Sequence, residues 1–132
     1  MTVNEARSVL EKNVDGAEKS LLHALHERER FSKKRFWEFY DCVITLAEDA
    51  LTVGRNIETA EKIVWVYQRV LKEMIWHFDK NDRANLSKFP KNYNEYIERL
   101  DGAMDAYFRG VFADESAYAL QRPVDGKTED NA

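Results

Sequence analysis

Cysteine is nearly absent: the 132-residue chain has one, Cys42. A single thiol excludes a disulfide framework within the chain and any multi-cysteine zinc site. It fits a reducing compartment. Proline is almost as scarce, occurring at Pro90 and Pro123, so the long stretch before Pro90 lacks the strongest helix breaker. The five glycines (16, 54, 102, 110 and 126) never cluster, which removes any glycine-rich phosphate loop. Long apolar runs are missing too. The longest, residues 63–67, is far below the roughly 20 residues a membrane span needs. The first ten residues carry Glu5 and Arg7 and no apolar stretch, so no secretory signal is read there. Together these absences lead us to expect a cytoplasmic protein with no membrane association.

What is present suits a globular core. Apolar residues make up 44% of the chain and charged residues 33%, with three Trp, six Tyr and seven Phe. A chain of this length matches one domain and buries roughly two-thirds of its unfolded surface. The net charge of −4 is not the footprint of a nucleic-acid-binding protein, so such a partner is not expected.

Apolar residues recur at helical spacing throughout, with no strand-length alternation bounded by hairpin turns. In residues 3–30, Val3, Ala6, Leu10, Val14, Ala17, Leu21 and Leu25 form a narrow stripe. Gly16 could close a first helix, with Asp15 and Glu18 capping the next. One continuous helix is the favoured reading, because a lone glycine costs only ~1 kcal/mol. Ser32 caps a second helix ending near Gly54, apolar on most of its circumference. Asn56 caps a third, ending near Phe78, with a main stripe of Ile57, Ala60, Val64, Tyr67, Leu71, Met74 and Phe78. Both should be central. Residues 80–91 read as a loop. Asn92 and Glu95 should form a capping box for a fourth helix, stopped by Gly110.

The expected fold class is therefore all-α, a small four- to five-helix bundle over residues 1–113. Residues 114–132 should form a partly disordered, frayed C-terminal tail, with a short helical turn at 115–120. The second and third helices carry more aromatic surface than neighbours in a four-helix bundle cover. Either the tail folds back and places Phe112, Tyr118 and Leu120 on the core, or a partner covers the excess.

Candidate chemistry is sparse. His23 and His26 share a helix face, and Glu73 and His77 are four apart, a spacing at which carboxylate and imidazole bind metals across helices. The paired Glu-x-x-His of di-iron bundles is missing, so no metal and no cofactor is expected. Cys42 falls in an apolar stretch and should be an inert small hydrophobe. The serines lack an elbow-like glycine context, and no acid–base pair stands out, so enzymatic activity is not expected. Two features suggest binding. Arg28, Arg30, Lys33, Lys34 and Arg35 form a basic cluster that would suit an acidic protein partner. Trp65 and Trp76 lie off both stripes of the third helix, and tryptophan is enriched at binding hot spots. The expectation is a small helical module that covers a protein partner, as an immunity, antitoxin or anti-defence inhibitor does. A homodimeric scaffold or regulatory adaptor, and a metal-binding bundle, are the alternatives.

Overall fold

A computed structural model describes residues 1–81, 85–112 and 114–124. These form five α-helices: α1 (Val3–Asp15), α2 (Leu21–His26), α3 (Lys33–Val53), α4 (Ile57–His77) and α5 (Tyr93–Arg109). A short 3₁₀ turn, Glu115–Ala117, follows. No strand occurs among the described residues; one isolated bridge joins Arg30 to Ser87. The all-α bundle is as the periodicity predicts, and no described helix is long and apolar enough to cross a membrane.

The expected single helix over residues 3–30 is two helices. Thr2 opens α1 with a capping box: its hydroxyl accepts from the Glu5 N–H, and the Glu5 carboxylate accepts from the Thr2 N–H. Gly16 closes α1 in the left-handed region at φ 63°, and the Ala17 N–H reaches back to the Lys12 carbonyl at 2.9 Å. Asn13 is buried and makes the break worthwhile. Its side-chain amide donates to the Val9 carbonyl at 3.0 Å, and its oxygen accepts from the Leu22 N–H at 3.1 Å. The cap of α2 is Ser20, not Asp15; its hydroxyl accepts from the His23 N–H. A glycine in mid-helix is tolerable, but the Asn13–Leu22 bond and the Ser20 cap, which both need a turn, outweigh it.

Helices α3 and α4 start and stop where expected. Ser32 accepts from the Arg35 N–H, and Asn56 from the Thr59 N–H, each at about 3 Å. At α5 the predicted capping box is absent. Asn92 makes no side-chain cap bond, and the Glu95 N–H goes to the Asn92 carbonyl instead. Gly110 does end α5, at φ 66°.

The core is organised around α3. Phe36, Phe39, Tyr40, Cys42 and Val43 are essentially inaccessible, and α1, α2 and α5 pack around them. Phe31, just before α3, meets Tyr96 of α5 edge-on at 5.1 Å, and Phe36 meets the same ring at 4.8 Å. The expectation that α4 is equally central needs correction. It buries Ile63, Val66, Val70, Glu73 and Met74, of which only Met74 belongs to the main stripe. The main stripe lies at the edge of that contact, with Ile57 78% and Phe78 55% exposed. The apolar arc of α4 is wider than the surface the other helices present to it.

The segment 85–91 is more than a polar loop. Leu86 and Pro90 are buried. The Ser87 N–H donates to the Glu29 carbonyl at 2.8 Å, and the Phe31 N–H donates to the Ser87 carbonyl at 2.9 Å. The loop thus pins the turn ahead of α3 and sets where α5 begins.

The part of the C-terminal segment up to residue 124 folds back onto the bundle. Arg99 of α5 is fully buried and holds it: Nε and Nη2 donate to the Leu120 carbonyl at 3.0 and 2.7 Å, and Nη1 donates to the Tyr40 hydroxyl at 3.1 Å. The same guanidinium pairs with Glu115 at 2.9 Å and lies 4.3 Å from the centre of the Tyr118 ring. Gly102 makes room for that ring, because a Cβ at 102 would overlap the Tyr118 hydroxyl. Leu120 therefore packs on the core as one reading of the sequence expects, while Tyr118 covers the buried Arg99. Phe112 does not; it remains exposed. The expected disorder near the end falls on residues 125–132, outside the described residues.

Candidate partner-binding cleft

Eleven residues are three helical turns, so Trp65 and Trp76 stand on one line of α4, with Arg69 one turn beyond Trp65. That line faces the α1–α2 corner. Between them lies a cleft of about 220 Å³. Trp65, Arg69 and Trp76 form its α4 wall, and Val14, Leu22 and His23 contribute to the other. The two indoles are 42% and 37% exposed. The Arg69 guanidinium lies 5.3 Å from the centre of the Trp65 ring, and no carboxylate of the described residues pairs with it.

The break between α1 and α2 creates this cleft. Had residues 3–30 been one rod, His23 and His26 would lie far along it. The turn at Gly16 instead brings α2 back beside the second half of α4. There His26 Nδ1 meets Glu73 Oε1 at 2.8 Å, with the carboxylate buried and the imidazole exposed. The pair ties α2 to α4 and forms part of the cleft wall.

The four groups considered for a metal do not converge. His26 and Glu73 touch, and His23 lines the same cleft. His77 turns the other way: its Nδ1 accepts from the Leu86 N–H at 3.0 Å, and its ring stacks on Phe89 at 4.0 Å. Among the described residues, no three His, Cys, Asp or Glu side chains gather as metal ligands would.

The basic cluster is split by the fold. Arg30 is buried, and its backbone pairs with the loop at Ser87. Arg35 is half-buried and bonds Glu38 at 2.8 Å. Arg28, Lys33 and Lys34 stay exposed. Five basic residues in the sequence are thus three on the surface.

Cys42 is buried as expected, its thiol donating to the Ala6 carbonyl at 3.1 Å. Burial, with a smaller contribution from Glu38, pushes the thiol up to about 12. It is neutral and unreactive at physiological pH. Tyr40 is likewise pushed up to about 12, by burial first and then by its hydrogen bond to Glu115. It stays a neutral phenol in the knot around Arg99.

Sequence reasoning located Trp65 and Trp76 but missed Arg69 beside them, and missed the Arg99 knot altogether. A signal for each existed. Arg69 is one turn from Trp65, and an arginine inside the apolar stripe of α5, near a mid-helix glycine, asks for a partner. No protein-family model, curated protein or solved structure matches this chain.

Proposed function

We propose that the chain is a protein-binding module that acts by covering a partner, and that it docks through the cleft bounded by Trp65, Arg69 and Trp76. One observation carries this reading: two half-exposed tryptophans and an arginine that pairs with no carboxylate among the described residues share one line of α4 beside a ready-made cleft. Trp and Arg dominate binding hot spots, because they combine large contact area with directional polar groups. A leucine- or lysine-lined groove would not carry the same weight. The partner expected here presents an apolar or aromatic side chain for the cleft and a carboxylate for Arg69. Inhibitors of the immunity, antitoxin or anti-defence kind work by such occlusion, without chemistry of their own.

The test is site-specific photo-crosslinking in the native host, with the reactive residue at 65, at 76 and, as control, at exposed Asn94 of α5. The same protein should be captured from 65 and 76 and not from 94. Against that purified protein, Trp65→Ala and Trp76→Ala should each weaken binding by about tenfold or more. Unchanged affinity together with a large loss of thermal stability would make both residues core and sink the reading.

A further inference from the structure

We infer that two copies of this chain associate through the outer face of α4, the helices running antiparallel about a two-fold axis. This row of α4 is separate from the cleft line, so the inference goes beyond the cleft reading. Its apolar members are Ile57, Val64, Leu71 and Ile75, continued by the cap residue Phe78, whose ring also meets Phe89 and Tyr93. Ile57, Ile75 and Phe78 are more than half exposed; Val64 and Leu71 are partly so. With Glu61 and Gln68 the row runs at steps of four and three from end to end, which is the heptad seam of a coiled coil. The helix supplies 21 residues, a seam about 31 Å long. The core cannot explain this periodicity, because the residues that α4 buries lie on its opposite side.

A helix ridge of this kind fits a helix, and charge selects which helix and which direction. Glu61, in the first half of α4, and Lys72, in the second, are exposed, and neither forms an ion pair among the described residues. Parallel pairing would set Glu61 against its own copy. Antiparallel pairing sets Glu61 of each copy beside Lys72 of the other, and Ile57 opposite Ile75, the two most exposed aliphatic residues of the ridge. It also opposes the two helix dipoles. The surface is then self-complementary, as a closed two-fold dimer requires.

Analytical ultracentrifugation over a wide concentration range reads the association. The mass should rise from the 15.5 kDa of one chain towards twice that value. Ile75→Glu, at a position already largely exposed, should leave the circular-dichroism melt of the monomer unchanged and raise the dimer dissociation constant by about tenfold or more. Oxidation of a mixture of Ile57→Cys and Ile75→Cys chains reads the direction. The antiparallel pair gives the mixed 57–75 disulfide, and neither variant alone crosslinks; native Cys42 is buried and stays out of the reaction. A monomer at every concentration overturns the proposal, as does a dimer indifferent to Ile75→Glu. Self-crosslinked 57–57 and 75–75 products would overturn the antiparallel geometry. Because Trp65 and Trp76 are untouched throughout, a failure here leaves the cleft reading to its own test.

Discussion

Helices α3 and α4 have the same length, 21 residues, and both are rich in aliphatic and aromatic side chains. Their fates differ. Helix α3 is wrapped by α1, α2 and α5, and the returning C-terminal segment is tied to its Tyr40. Helix α4 is covered on one side and leaves indoles, aliphatic residues and a phenylalanine in water. Similar composition thus yields a structural spine in one case and a presenting surface in the other. The difference lies in what surrounds each helix, since burial is set by the neighbours available rather than by the helix's own pattern.

The sharpest way to break that contrast is a matched pair of truncations. Phe36→Ala, in the spine, should cost about 3–5 kcal/mol of unfolding free energy, because a fully buried ring leaves a cavity. Ile75→Ala, on the ridge, should stay within about 0.5 kcal/mol for the monomer. Urea titrations at low protein concentration measure both. Comparable losses would mean that α4 is as structural as α3.

The next effect concerns the C-terminal segment. Arg99→Met keeps the length of the side chain but strips the Leu120 carbonyl, the Tyr40 hydroxyl and Glu115 of their shared donor. The loss should be about 2–3 kcal/mol. It should appear together with faster proteolysis between residues 112 and 124. A normal digestion pattern would show that other contacts hold the segment.

Gly102 allows a finer test of the same region. Gly102→Ala pushes a methyl group into the Tyr118 hydroxyl, and should destabilise by about 1 kcal/mol even though alanine is the better helix former. In a Tyr118→Ala background the clash is gone, and the same Gly102→Ala change should then stabilise by up to ~1 kcal/mol. That reversal of sign, read by thermal melts in a double-mutant cycle, is specific to the notch.

Much of the spine was legible in the sequence, and the reasons are local. Ser32, Asn56 and Gly110 are short-range signals, and each cap is where its residue type predicts. The break at Gly16 was harder to read. It depends on Asn13 bonding Leu22, a contact whose benefit exists only once the chain has turned. The rank of α4 was misjudged for a related reason. Apolar width says how much surface a helix can bury, and the number of partners that reach it is a property of the whole fold. The cleft was half legible: Trp65 and Trp76 stood out because they departed from the stripe, while the wall opposite them arises from the α1–α2 turn.

The smallest expected effect is a pH dependence around the Arg99 knot. Burial alone would raise the Glu115 carboxyl, but hydrogen bonds from Arg122, Tyr40 and Arg99 outweigh it and hold the carboxyl below its ordinary value of 4.5. A depressed carboxylate in the folded state favours folding wherever the unfolded chain would still bind a proton. That contribution is full above the ordinary value and fades as the pH drops through it towards the folded-state value. Since Glu115 is 43% exposed, solvent screens the effect and it stays modest. Urea midpoints collected from about pH 6 down to about pH 3 should therefore fall less steeply for Glu115→Gln than for the native chain. An Arg99→Met background supplies the control: with one donor to the carboxylate gone, Glu115→Gln should change the acid limb less than it does in the native chain. If the limb flattens equally in both backgrounds, Glu115 is not coupled to the Arg99 knot.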